Sequence, residues 1–379
     1  MCPMTSLSIV MASRDVGAAS HLVVLYKALR SKGVYVKYYA QEPAYTFLKH
    51  MKIDVLAFQT SVLAADKVDS DEFAKAVLEA KAIIRSTLPD KIIVGGAHSG
   101  EVGIDELMIA YSGEAKTYLY QDYWGDFNDV LGVIPECYLV LDELAATTTK
   151  ALCESEIFIC GPLKYTDYQG INFFSLRARV REKYGISSKL KLIGYYGQSL
   201  SSLQGYLRTV DRFAAAIRDI VDSNTIELAY KPHPRESGLD IYTTVSIFRE
   251  HGIDPVVIDE PDIINSLVAT DLAVSCFSSC AYDHIHLNYY SNENLSFPLY
   301  LLYDQEVLDF YKESSKLELL PLCEMGLVDL VDDSAGVKGD VLRNLDDSYI
   351  TKKIGLLETV LVDPQRNLTK LINYIESDR

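Results

Sequence analysis

The residues best suited to chemistry lie in the run Tyr230-Lys231-Pro232-His233-Pro234-Arg235-Glu236 and in the pair Ser278-Ser279 further along the chain. Two prolines flank the imidazole, fix their own φ and restrict the residues before them. Lys231 and Arg235 add positive charge in an otherwise acidic chain, and ammonium and guanidinium groups suit phosphate oxygens. The serines supply hydroxyls and, at a helix start, backbone N–H groups that face an anion. His233, Lys231, Arg235, Ser278 and Ser279 therefore describe a site for nucleotide phosphates.

Such a site needs elements to hold it. The run Ile226–Ala229 follows the helix-like Tyr206–Val221 and reads as a buried parallel strand, with His233 at its carboxyl end, where open α/β sheets bind ligands. Asp271–Ser275 reads as another strand, and Cys280–Leu287 as the helix that the serines open. Between the motifs, Asp254–Ile258 reads as a strand and Glu260–Val268 as a loop and helix.

A strand ended by His-Pro, with Ser-Ser opening a helix further on, resembles the bacterial sialyltransferases and related capsule-type transferases that use CMP-activated sugars. It is also similar to the CDP-glycerol phosphotransferases. The resemblance covers roughly Leu190–Leu287, and the N-terminal half matches in layout only. It implies an α/β chain of GT-B fold, with two doubly wound Rossmann-like domains, a cleft between them, and the donor nucleotide in the C-terminal one. It implies a metal-independent glycosyltransferase that moves a sugar from a nucleotide donor, preferably a CMP-sugar, to a glycan or glycolipid acceptor in surface polysaccharide biosynthesis. The nucleotide sugar is then a co-substrate and no cofactor is needed. His233 would donate a hydrogen bond or proton to the leaving phosphate, with Lys231, Ser278 and Ser279 stabilising its charge. CDP-glycerol-type phosphotransfer, nonhydrolysing UDP-sugar epimerisation and a non-catalytic scaffold share the same features.

In that fold the loop Gly194-Tyr195-Tyr196-Gly197-Gln198-Ser199 contacts donor phosphate, which adds Gly197 and Gln198 to the site; glycine permits close backbone approach. The loop Ser13–His21 would face acceptor. Asp15 there is a candidate base, because a carboxylate at a helix start is accessible, and it serves equally as a helix cap. His98, in Gly95–Glu101, and Asp122 and Trp124, in Tyr120–Asp126, are further candidates for base and substrate contact. Trp124 is the only tryptophan, a flat face for a sugar or base. The Asp/Glu-Asp/Glu-Gly triplet that carries the sialyltransferase base is absent. Ser112-Gly113-Glu114 and Asp122-Tyr123-Trp124-Gly125 are loose substitutes.

A chain of 379 residues has room for two cores. Strand and helix signals alternate from Leu7–Met11 to Ile157–Ile159, a βαβ series, and resume at Leu190–Tyr195. We expect a first domain over 1–161, a connector over 162–188, a donor domain over 189–345, and helices over 346–379 that cross back to the first domain. No run of about 18 apolar residues or charged leader is present, so the expected location is the cytoplasm, compatible with peripheral membrane association. The net charge of −17 argues against a nucleic-acid binder. The seven cysteines form no Cys-x-x-Cys pair, and no Asp-x-Asp stands at a strand end, so the site should work without metal. EDTA is then expected to leave turnover unchanged; a loss restored by Mg²⁺ or Mn²⁺ would overturn that reading.

Overall fold

The computed structural model describes residues 7–97, 100–221, 225–291, 295–315 and 317–378. The chain divides into two compact units: Met1–Asp167 together with Val362–Arg379, and Tyr168–Leu361.

The first unit is built on β1 (Ser8–Ser13), β2 (Tyr35–Ala40), β3 (Val55–Ala57), β5 (Lys91–Gly95), β7 (Lys116–Tyr120), β8 (Cys137–Val140) and β9 (Glu156–Ile159), with β4 (Leu63–Ala64) and β6 (Glu101–Val102) forming a small antiparallel ribbon. The seven long-sheet strands run parallel in the order β3-β2-β1-β5-β7-β8-β9. Ile9, Val10, Met11 and Ala12 are all buried, as expected of a parallel strand covered on both faces. The second unit has β10 (Lys191–Tyr196), β11 (Ile226–Lys231), β12 (Val256–Val257), β13 (Leu272–Ser275), β14 (Pro298–Leu301) and β15 (Asp329–Val331), in the order β12-β11-β10-β13-β14-β15. Strand order reverses between β1 and β5 in one sheet and between β10 and β13 in the other. Doubly wound sheets bind ligands at such points, beyond the carboxyl ends of the strands.

The helix Phe173–Lys183, expected to be a connector, is part of the second unit. Its Val180 joins Ile186, Leu192, Ala229, Ile258 and Ala269 in one apolar cluster. Arg177 and Arg181 both grip Asp271, at 2.5 and 2.6 Å, and the Leu192 amide donates to the same carboxylate at 2.6 Å. Removing that carboxylate leaves two guanidinium groups without their anion, so Asp271→Ala should cost about 3 kcal/mol. Chemical denaturation checks this, and an unchanged midpoint would refute it.

Two further differences have local causes. Within the expected donor domain, β15, for which the sequence carries no strand signal, pairs with β14; three residues are too few to show a period. Of the two C-terminal helices, Asp347–Val360 stays in the second unit. Lys353 and Tyr349 bind Asp329 at 2.6 and 2.7 Å, and Asp347 binds Lys191 at 2.8 Å. Only Pro364–Ser377 returns to the first unit, burying Leu368, Leu371, Ile372 and Ile375. Lys91 Nζ donates to the carbonyls of Ile375, at 2.5 Å, and Asp378, closing that helix's C-terminus. No described helix is long and apolar enough to cross a membrane.

Candidate functional site

In the second unit, three loops follow the neighbouring strands β11, β10 and β13, and side chains bind them together. The Gly197 amide donates to the Lys231 carbonyl at 2.9 Å. Gln198 is buried; its Oε1 accepts from the Phe277 amide at 3.0 Å, and its own amide donates to the Tyr206 hydroxyl at 3.3 Å. Gln198 thus ties the loop after β10 to the loop after β13. At Gly197 a Cβ would overlap the Glu236 carboxylate and crowd the Tyr230 ring, so the missing side chain lets Glu236 approach closely.

The His-Pro turn is held from within. Glu236 turns back, accepting from the His233 amide at 2.5 Å and from the Tyr230 hydroxyl at 2.7 Å. The Arg235 amide donates to His233 Nδ1 at 3.1 Å. With Nδ1 accepting, the proton of the neutral ring lies on Nε2. Burial, with the charges of Arg235 and Lys231, holds His233 below its ordinary pKa, which favours the neutral ring. The ring so held presents Nε2–H as a hydrogen-bond donor. Lys231 lies partly buried beside it, its Nζ donating to the Pro232 carbonyl at 3.3 Å, and burial lowers its pKa as well. Arg235 is exposed.

The serine pair offers fewer free groups than its place at a helix start implies. The Ser278 amide donates to Ser275 Oγ at 3.2 Å, and Ser278 Oγ accepts from the Cys280 amide at 3.3 Å. Ser279 is exposed, makes no side-chain capping bond, and its amide has no partner among the described residues. Ser278 Oγ, which only accepts here, keeps its O–H to donate, so the donors these loops offer an anion, among the described residues, include the Ser278 hydroxyl, Ser279, Lys231, Arg235 and His233 Nε2–H.

In the first unit the switch point is lined by carboxylates. Asp15 caps the helix Val16–Ser31, accepting from the Gly17 amide at 3.1 Å. A Cβ on Gly17 would overlap the Asp122 carboxylate, and one on Gly96 would overlap that of Asp126. The two glycines therefore make room for two acids of one loop. Burial, followed by the charge of Asp15, raises the Asp122 pKa to about 7. Burial and then Asp122 hold Asp126 well above the carboxylate range. Arg14 next to them is buried and saturated by Glu101, Asp105 and Glu106 at 2.9, 3.1 and 3.3 Å.

Asp126 and Arg14 were not singled out by the sequence; only the glycines opposite them hinted at crowding. Trp124, expected to offer a flat face, sits inside its loop. It is buried, its Nε1–H donates to Asp142 at 2.8 Å, and its ring meets Tyr123 edge-on, so it anchors its loop instead of offering a face to sugar. His98 lies outside the described residues. Among those described, no group of three or more His, Cys, Asp or Glu residues is placed to hold a metal ion.

No family model and no curated protein matches the chain. Solved structures do. Staphylococcus aureus MnaA in complex with UDP aligns at a TM-score of 0.67 and 14% identity, over 98% of this chain and 96% of that one. The UDP-GlcNAc 2-epimerase of Neisseria meningitidis bound to UDP-GlcNAc aligns at 0.69 and 10%, over 98% and 100%. Acinetobacter baumannii MurG aligns at 0.58 and 12%, over 97% and 99%. The chain has the GT-B fold. At these identities the likeness is one of fold, and it extends over both Rossmann-like units of this GT-B chain.

Proposed function

We propose that the protein acts on a nucleotide sugar and breaks the bond between the anomeric carbon and the nucleotide's phosphate. The observation that supports this reading is the placement of Lys231 and His233 at the carboxyl end of β11, and of Ser279 beyond that of β13, on either side of β10 at the switch point. As that bond breaks, negative charge develops on a phosphate oxygen, and fixed donors aimed at it lower the barrier. Within the first unit, Asp122, poised near neutrality, is the carboxylate best suited to proton transfer, since a base with a pKa near the working pH is most effective.

We favour isomerisation of a UDP-sugar over CMP-sugar transfer. Structural neighbours named as UDP-GlcNAc 2-epimerases align at TM-scores up to 0.69, above the 0.58 of MurG, and the ligands named are UDP and UDP-GlcNAc. In this reading a base removes the proton at sugar C2, those electrons form the C1–C2 double bond, and the C1–O pair departs with the diphosphate. Reversal with protonation on the other face gives the epimer. Glycosyl transfer is the second reading, supported by the order of the His-Pro and Ser-Ser motifs and by MurG among the neighbours.

Incubation with UDP-GlcNAc in D₂O, followed by NMR, tests the choice. The expected result is a C2-deuterated epimer without added acceptor. UDP released only when an acceptor is supplied would favour transfer, and binding without turnover would favour a scaffold. A thermal-shift series should show UDP raising the melting temperature more than CMP, CDP or GDP, because a ligand bound only by the folded state stabilises it by mass action. CMP as the best ligand would reverse the choice of nucleotide.

A further inference from the structure

We propose that Glu236 is the positioning residue of this site, holding the His233 imidazole with its Nε2–H presented to the phosphate; this rests on the reading above. Three observations converge on it. Its Oε2 accepts from the His233 amide at 2.5 Å and its Oε1 from the Tyr230 hydroxyl at 2.7 Å, so the side chain bridges the last buried residues of β11 to the turn beyond Pro232. Its own amide donates to the His233 carbonyl at 2.9 Å, which closes a tight turn with His233 at one end and Glu236 at the other. The space in which its carboxylate sits exists because position 197 has no side chain.

The consequence for the imidazole is geometric. With both the amide and the carbonyl of His233 held, the Arg235 amide is brought within 3.1 Å of Nδ1, and that bond fixes which nitrogen keeps the proton. Pro232 and Pro234 restrict the backbone on either side, yet proline removes donors and supplies none. The carboxylate supplies the missing restraint. Burial raises the Glu236 pKa, while its bonds to Tyr230 and His233 act in the opposite direction, so its role rests on accepting two hydrogen bonds and not on its charge. Glutamine can reproduce that pattern, with its oxygen accepting from the His233 amide and its NH₂ donating to the Tyr230 oxygen. Alanine cannot.

The experiment compares Glu236→Ala with Glu236→Gln in the full chain, labelled with ¹⁵N-histidine. Wild type and Glu236→Gln should both show His233 as the Nε2–H tautomer, and Glu236→Ala should show tautomer exchange. This readout needs no turnover, so it remains informative if the functional reading fails. With UDP-GlcNAc as substrate, Glu236→Ala should lose about 10²-fold in kcat with KM changed less than about threefold, and Glu236→Gln should recover to within about threefold of wild type. A wild-type tautomer signal in Glu236→Ala overturns the proposal, as does a Glu236→Gln variant impaired as severely as alanine. If Glu236→Ala fails to fold, the glutamine variant and Tyr230→Phe, which keeps the bond to the His233 amide and the tautomer, still decide. Absence of turnover in wild type, with the tautomer pattern as expected, refutes only the functional reading.

Discussion

Replacement of His233 by alanine is expected to lower turnover by about 10²–10³-fold, the loss typical of one fixed donor to a developing oxyanion. The imidazole is held neutral by burial and by the two cations beside it, and its Nδ1 accepts from the Arg235 amide, so Nε2–H is the group that acts. Its hydrogen bond strengthens as the phosphate oxygen gains charge, and UDP affinity should therefore fall less than kcat. The melting temperature should fall little, because the bonds at the His233 amide and carbonyl remain and only the one from the Arg235 amide to the ring is lost. Near-normal turnover would remove His233 from the mechanism; a collapse of the melting temperature would reveal a structural histidine instead.

Asp122→Asn should lose about 10²–10⁴-fold, the range of a positioned acid–base group. In the wild type, kcat should climb with pH through a midpoint near 7, where Asp122 gives up its proton, and level off above it. Asp15→Asn removes a like charge that helps raise this pKa and should move the midpoint to lower pH. Stability carries the same signature with a defined sign. Asp122 holds its proton more tightly in the folded protein than in the unfolded chain, so folding takes up a proton between the ordinary carboxylate range and about pH 7. Stability from this group is therefore lost as pH rises through that window. Asp122→Asn should flatten the decline. Melting temperatures of both proteins from pH 5 to about 8 give the comparison, and parallel curves would disprove the assignment.

The sequence carried the sheets and the strand-end places of His233 and Ser279 further than the contacts around them. Buried runs such as Ile9–Ala12 declare a strand because every residue must be apolar when both faces are covered, and His233 and Ser279 fall at strand ends for the same topological reason. The contacts of Gly197, Gln198 and Trp124 were not legible because each depends on a partner that only packing brings near: Glu236, the Phe277 amide and Asp142 respectively. No periodic pattern encodes such a contact. Asp126 escaped notice on the same grounds, since what marks it is the bare backbone of Gly96 opposite. The shortest strands, β12 and β15, are two and three residues long and leave no alternation to read.

The first unit is assembled from two separated pieces of chain, with the whole of the second unit intervening between Asp167 and Val362. On the ribosome this means that the segment made first waits for the segment made last. Until Leu368, Leu371, Ile372 and Ile375 emerge, the apolar surface they cover stays open, and Lys91 lacks the carbonyls it binds. The second unit lies in one uninterrupted stretch and needs no such delay. A nascent chain stalled between Leu361 and Val362 should therefore hold a finished second unit beside an unfinished first one, a state that attracts chaperones and proteases to one half of the molecule only.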